Sequence, residues 1–567
     1  MNPLQLFRGE IARVIGAVIG HDMHIQIDEP PEGYGDFFVK CFQFSKKLSR
    51  SPEEIAKEFA TRFSSNPMFK NVEAKGGYLN FYVNQNELTR IVLEMVLEER
   101  EEYGNGNKKG SIIVEHTSAN PTGPLHVGRG RNPIIGDTLA RILRALGYNV
   151  KTEYYVDDMG RQLAILAWAY KKYGVEAVKS SREKEDHVFV ELYRKGNEMF
   201  EKDEQARREI EETIRQIEHG NREVIASQRR IAEQCMKGII STLAQCNIHI
   251  DNFVYESEFL LDGSVYEVME KLKKSEHAGC ENGAYFIDLA SFGFHGKDSK
   301  FFFTRSDGTS LYTTRDIAYH INKLSRCDVA INILGEDHKL QARMVAISLG
   351  EIGFEKKPEV LFYSFVSLPE GKMSTRAGRV VYLDDLIDEA IAKAREEILK
   401  RGRENKVDVE KVAVSVAIGA IRFNIVKIQP EKQIVFRWEE ALNFEGNSAP
   451  FVQYAHARAA SILRNGNVDV SKISYNVEHL HTPEEIALIK VLAKFPDVVE
   501  IAGEQRKVYL IPQYLHKLAE TFNTFYRYVP VLNAGEERET RIALVYATKC
   551  VLAKGLRLLG IDALEEM

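Results

Sequence analysis

Ser111-Ile-Ile-Val114 is a short β-branched run that leads into Glu115-His-Thr-Ser-Ala-Asn-Pro-Thr-Gly-Pro-Leu-His-Val-Gly-Arg-Gly-Arg-Asn132. A helical pattern from Ile134 to Leu146 follows and stops at Gly147. Strand, glycine-punctuated turn and helix in this order commit the segment to a parallel α/β sheet. Such a turn aims backbone N–H groups and the positive helix end at an anion. His126, Arg129 and Arg131 add proton-bearing and forked donors, and Gly123, Gly128 and Gly130 let the main chain approach a ligand closely. A polyphosphate suits that combination. Neither G-x-x-x-x-G-K-[ST] nor G-x-G-x-x-G is present, so the turn is not one of those phosphate loops.

The chain has 567 residues, enough for three or four domains. Its net charge of −6 argues against a partner held by bulk positive charge, so nucleic acid would have to be bound through local patches and shape. The six cysteines form no C-x-x-C pair, and His and Cys lack metal-ligand spacing, so no protein-bound structural metal is expected. Arg8, Glu10 and Arg13 interrupt any signal-peptide core and no apolar run approaches membrane-spanning length, which reads as a cytoplasmic protein with no membrane partner.

Residues 1–107 read as a small α+β module, with helices near Leu4–Ile19 and Pro52–Arg62 and strands near Phe37–Phe44 and Gly77–Val83. The linker Tyr103-Gly-Asn-Gly-Asn-Lys-Lys-Gly110 marks a boundary. Residues 108–395 read as a doubly wound parallel-sheet domain of Rossmann type, with strands at Val150–Val156, Asp328–Leu334 and Val360–Val366. An insertion over about 165–300 splits it. Strand signals at Gly283–Asp288 and Phe301–Thr304 return late, and the second half runs from about 300. The charged stretch from Arg161 to Ala244, including Arg182-Glu-Lys-Glu-Asp-His187, reads as helix with a solvated face. Everything after about 395 reads as helix: a linker over 396–445 and a bundle over 446–567.

Gly371-Lys-Met-Ser-Thr-Arg-Ala-Gly-Arg-Val-Val381 is a basic, hydroxyl-rich loop after a strand, suited to a mobile clamp over a polyphosphate. Alone, either loop would be an ordinary surface turn. Together, His-Val-Gly early and Met-Ser in a basic loop late in a split α/β fold resemble the paired signatures of class I aminoacyl-tRNA synthetases, and within them the arginyl enzymes. Ser118–Gly128, Tyr154–Gln162, Leu311–Asp316, Met373–Gly378 and Pro450–Arg458 carry the likeness, which covers nearly the whole chain. Two positions depart from it. Arg129 stands where the first motif usually has a second His, and Thr375 stands where the second usually has a catalytic Lys; Lys372, Arg376 or Arg129 could supply the missing charge.

The resemblance implies an ATP-dependent ligase that activates L-arginine as the adenylate and transfers it to the terminal ribose of tRNA(Arg), releasing pyrophosphate and AMP. It implies Mg2+ entering with ATP, activation that requires bound tRNA, and a monomer. Catalysis falls to His126, Arg129, Lys372, Ser374 and Arg376; ATP to His126, Gly128, Arg129, Asn132, Gly335, Met373 and Ser374; arginine to Glu115, Asn120, Tyr312, Asp316 and His338. Paired carboxylates suit a planar forked guanidinium, and Tyr312 and Asp316, four apart, share one helix face. The C-terminal bundle resembles an anticodon-binding domain, with Gln453, Tyr454, Arg458, Asn523, Tyr526 and Arg527 as tRNA contacts; unpaired bases stack well on aromatic rings. The N-terminal module resembles the family's additional tRNA-contacting domain. Three other readings stand beside this one: a class I synthetase for another amino acid such as cysteine, a non-catalytic tRNA binder, and a small-molecule nucleotidylyltransferase.

Overall fold

The computed structural model describes residues 2–20, 23–31, 33–368, 371–372, 381–402 and 407–567. The chain forms two compact units, one of residues 107–443 with 559–561, the other of residues 1–106, 444–558 and 562–567.

The first unit is organised on a five-stranded sheet. In chain order its elements are β1 (Ser111–Glu115), α1 (Arg131–Ala145), β2 (Asn149–Val156), β3 (Asn252–Tyr255), α2 (Tyr312–Ser325), β4 (Val329–Gly335), α3 (Lys339–Glu351) and β5 (Glu359–Tyr363). The strand order is β5-β4-β1-β2-β3 and every pairing is parallel. β1 and β4 are buried along nearly their whole length, so they read as continuous apolar runs rather than alternating ones. Gly147 closes α1 at φ 99°, a left-handed position that favours glycine.

The strand order reverses between β1 and β4, so the carboxyl ends of these neighbours diverge into a crevice where ligands of such folds bind. Asn132, in the first turn of α1, staples it. Its Oδ1 accepts from the Thr117 N–H at 2.6 Å and its Nδ2 donates to the Ile333 carbonyl at 2.7 Å. The backbone it holds is strained, with Thr117 at φ 72° and Ser118 at φ 37°, conformations that cluster at functional sites.

Four findings in this unit differ from the sequence expectations. β3 lies inside the expected insertion yet forms the edge of the parallel sheet. Its short, half-buried Asn-Phe-Val-Tyr gave no apolar run to notice. Lys300–Phe302 belongs instead to a separate antiparallel sheet with Ala284–Asp288 and Ala278–Glu281. The run at Val360 breaks at Ser364, after which Val366–Leu368 pairs with Gly371–Lys372 and with Ile434–Val435, a strand in a region that reads as all helix.

The run Arg182–His187 is the fourth. Rather than a solvated face, Asp186 and His187 are buried, and Lys184 donates to Asp384 at 2.9 Å, which also meets His187 Nε2 at 2.9 Å. Burial pushes the Asp384 carboxyl up, but hydrogen bonds from His187 and Lys184 outweigh it and hold it at about 2. The helix Glu204–Glu218 has the expected solvated face: Arg208 pairs with Glu204 and Arg215 with Glu212 at the surface, while Ile210 and Ile217 are buried.

His116, directly after β1, is buried under α1, where a Cβ on Gly136 would lie only 2.5 Å from its own Cβ. Burial lowers its pKa to about 4. The unfolded chain takes up that proton near pH 6.5, so the stability contributed by neutral His116 is fully present above about pH 6.5 and lost as pH falls toward about 4. Between pH 7 and 5 the loss is about 2 kcal/mol. Urea unfolding at both pH values, with His116→Gln as the reference, should show the gap between parent and variant narrowing by that amount.

The second unit joins both ends of the chain. Helices Pro3–Ile19 and Pro52–Arg62 pack on an antiparallel sheet ordered Ile27–Asp28, Phe37–Lys40, Tyr78–Val83, Phe69–Lys75. The strand expected over Phe37–Phe44 stops at Lys40, because Cys41–Phe44 turns as a 3-10 helix that buries Cys41 and Phe44. Helices Ala449–Asn465, Pro483–Ala493, Phe495–Glu504, Leu510–Tyr528 and Arg538–Leu558 form the C-terminal bundle. Tyr103 ties the two parts, wholly buried, donating to the Leu492 carbonyl and stacking on Phe495.

Candidate active site

Two cavities open at the carboxyl ends of β1 and β4. The smaller, about 380 Å³, is acidic: Glu115, Asp157, Asp316 and Asp337 line it, with Tyr312, His338 and Gly335. The larger, about 810 Å³, has His126 and Arg129 among its lining and no carboxylate among the described residues. Asn120, Arg129 and Phe365 line both. One chamber therefore suits a cation and the other an anion, and they meet beside an amide and a guanidinium.

The acidic chamber is built by a connected network. Lys323, fully buried, donates to Glu115 Oε2 at 2.5 Å and to Asn332 Oδ1 at 2.7 Å. Asn332 Nδ2 lies 2.7 Å from His320 Nε2, and His320 Nδ1 lies 3.1 Å from Asp316 Oδ1 and 2.8 Å from the Asp316 carbonyl. These partners are mutually consistent only with His320 carrying its proton on Nδ1: the lysine must donate to the amide oxygen, so the amide nitrogen must donate to Nε2. Gln341 Nε2 donates to Asp316 Oδ2 at 3.2 Å. Burial raises the Asp316 carboxyl, but His320, Lys323 and Gln341 outweigh it and hold it below its ordinary value, so it stays ionised.

Sequence reading missed Lys323, His320, Asn332 and Gln341. A signal existed for two of them: the spacing that sets Tyr312 beside Asp316 continues to 320 and 323 on the same face of α2. Asn332 and Gln341 come from other elements. Asn120 donates to Gln162 Oε1 at 3.0 Å.

In the larger chamber, His126 precedes the 3-10 turn Val127–Arg129 and its ring packs edge-on against Tyr382 at 5.5 Å. Tyr382 in turn accepts from Arg194 at 2.9 Å. Burial first, then Arg129 and Arg194, lower the His126 pKa, so the imidazole is neutral at pH 7 and donates through one nitrogen. A Cβ at Gly128 would meet nothing within 4 Å, so packing does not demand glycine there; the room is on the cavity side. Arg131 is a correction. It is wholly buried and donates to the carbonyls of Ser364, Lys432, Ile428 and Gln429, holding backbone instead of facing a ligand. Lys372 belongs to a short strand; Met373, Ser374, Thr375, Arg376 and Arg379 lie outside the described residues.

On the C-terminal bundle the Arg458 guanidinium sits over the rings of Tyr454, at 4.8 Å, and Tyr526, at 4.9 Å, and donates to Asn523. Tyr526 and Arg527 are exposed. Gln453 is a correction: it has no exposed surface and donates to the Asp562 carbonyl, a tie within the bundle. Phe522 and Phe525 are core.

Comparison with known proteins gives the class to which this parallel sheet and its two chambers belong, the class I aminoacyl-tRNA synthetases. Residues 92–438 match the family tRNA synthetases class I (R), catalytic domain; residues 452–567 match the DALR anticodon binding domain, and residues 5–83 the arginyl tRNA synthetase N terminal domain. The chain is 47% identical to the arginine–tRNA ligase of Methanocella arvoryzae, over 93% of this chain and 92% of that one, and 42% identical to that of Methanocaldococcus jannaschii, over 97% of each. The solved Thermus thermophilus arginyl-tRNA synthetase superposes with a TM-score of 0.84 at 30% identity, over 99% of this chain and 100% of that one. The chain belongs to the arginyl-tRNA synthetases.

Proposed function

We propose that the enzyme binds arginine in the acidic chamber and ATP in the larger one, and joins them where the two meet. The juxtaposition of a chamber walled by Glu115 and Asp316 with one that bears His126 and Arg129 supports this reading most directly. The guanidinium lies between Glu115 and Asp316 beside Tyr312, with Asn120 and His338 toward the α-ammonium. Gly128 and the Asn132-held backbone admit the nucleotide, with Gly335 at the crevice. The arginine carboxylate attacks the α-phosphorus in line; an oxygen–phosphorus bond forms, the α–β bridge breaks and pyrophosphate leaves. Arg129, at the junction of the chambers, meets the charge that develops on the phosphoryl oxygens. Lys372, Met373, Ser374 and Arg376 clamp the leaving pyrophosphate, on sequence grounds. Mg2+ would accompany ATP on its phosphates, since the described lining of this chamber offers no carboxylate to hold it. A terminal ribose hydroxyl of tRNA(Arg) then attacks the adenylate carbonyl, losing its proton as AMP departs.

Tyr454, Arg458, Asn523, Tyr526 and Arg527 form the surface that receives unpaired tRNA bases, the guanidinium–tyrosine stack being a ready platform. The N-terminal module over residues 1–107 makes further tRNA contacts. The catalytic domain extends over 108–395 and its helical linker over 396–445. No helix among the described residues is long and apolar enough to cross a membrane, and the enzyme works as a cytoplasmic monomer. Pyrophosphate exchange into ATP, run with each amino acid with and without tRNA, tests the whole scheme. Exchange with arginine alone, and only when tRNA is present, is the expected result. Exchange with another amino acid refutes the assignment; exchange without tRNA refutes the gating.

A further inference from the structure

Asn120 and Gln162 meet where the two chambers join. Asn120 lines both, and Gln162 lines the larger one only. Both residues are exposed. Asn120 Nδ2 donates to Gln162 Oε1 at 3.0 Å, across 42 residues of chain. The backbone on each side of this bond is fixed. The Tyr154 hydroxyl donates to the Ala119 carbonyl at 2.7 Å, and the Thr122 N–H donates to the Asn120 carbonyl at 2.8 Å. Asp157 accepts from the Gly160 N–H at 2.6 Å and from the Met159 N–H at 3.2 Å. That turn starts the helix Arg161–Tyr173, with Gln162 as its second residue.

A side-chain amide exchanges its oxygen and nitrogen by half a turn, with almost no change of shape. Beside an α-ammonium the two ends are not equivalent, because an ammonium only donates. The bond to Gln162 uses an Asn120 donor and leaves its Oδ1 to accept; the reversed amide would set its NH2 against the ammonium. We propose that Gln162 is a positioning residue for amino-acid recognition: its Oε1 holds the Asn120 amide with the oxygen free for the arginine ammonium. The proposal rests on the assignment of the acidic chamber to arginine. The donor that the bond leaves on Gln162 Nε2 has the polarity an anion accepts, so the same orientation suits the chamber that bears His126 and Arg129.

Gln162→Leu removes the acceptor, and Gln162→Glu keeps one for Asn120 Nδ2. Each is read by the arginine KM in aminoacylation at saturating ATP and tRNA, alone and combined with Asn120→Ala, beside the melting temperature. Gln162→Leu should raise the arginine KM about threefold to tenfold at an unchanged melting temperature, and Gln162→Glu should stay within about twofold of the parent. Asn120→Ala should raise it about tenfold to a hundredfold, the loss of a hydrogen bond to a charged group. On that background Gln162→Leu should add nothing, because Gln162 acts through Asn120. A role in packing alone predicts a lowered melting temperature and an effect of Gln162→Leu that persists in full without Asn120; that result overturns the proposal, as does Gln162→Glu raising the KM as much as Gln162→Leu. If Asp316→Asn raises the arginine KM but Gln162→Leu or Asn120→Ala leaves it within about twofold, the chamber stands and the positioning role falls. If none of these variants moves it, the assignment of the chamber to arginine falls and takes the proposal with it.

Discussion

Replacing Lys323 by Met should destabilise the 107–443 unit by about 3–5 kcal/mol, the usual cost of leaving one member of a buried ion pair without the other. Lys323 is fully buried, its ammonium 2.5 Å from Glu115 and 4.4 Å from the Tyr319 ring centroid. Methionine keeps the stem's packing, so the loss isolates the charge. Chemical denaturation read by tyrosine fluorescence gives the number. The double variant Lys323→Met with Glu115→Gln should recover much of it, because no uncompensated charge remains. A single variant within about 1 kcal/mol of the parent would show that Glu115 draws its compensation elsewhere.

Asp316→Asn should lower kcat/KM for arginine by roughly thirtyfold to several thousandfold, the effect of about 2–5 kcal/mol for truncating a buried charge partner. The asparagine oxygen can still accept from His320, but its NH2 then confronts the Gln341 donor, now 3.2 Å from Oδ2. The ATP KM should not change, since Asp316 lines only the acidic chamber. Steady-state aminoacylation at saturating ATP and tRNA measures it. A fall smaller than about threefold would place the guanidinium away from Asp316.

Both predictions concern charges whose partners the sequence did not reveal together. The strand–turn–helix from Ser111 to Leu146 was legible because an apolar run, a glycine-rich turn and a helical period lie next to one another in the chain. Glu115 and Asp316 were legible as chamber residues through family-like motifs, and α2's period extends that legibility to His320 and Lys323. Arg129 and Arg131 illustrate the limit. Two residues apart, of one residue type and both in the phosphate turn, they part company: Arg129 is exposed on the cavity, while Arg131 is buried among four carbonyls. Only the arrival of the segments at 364 and 428–432 decides which arginine has water beside it. Gln453 and Tyr454 divide in the same way on one helix turn, by the return of the chain at Asp562.

What the sequence by itself determined is what depends on near neighbours: the apolar run of β1, the period of α1 and α2, the glycine that ends α1, and the residue types gathered in each motif. Periodicity and turn chemistry are local, acting within a few residues, so one chain suffices to read them. The tertiary structure decided the rest: that β3 joins the parallel sheet, that Lys323 pairs with Glu115, that Asp384 is buried with Lys184 and His187, and that Asn120 meets Gln162. Each turns on burial and on partners about 40 to 200 residues away in the chain, and a side chain's charge and hydrogen bonds acquire their strength only once the fold has removed the water around them.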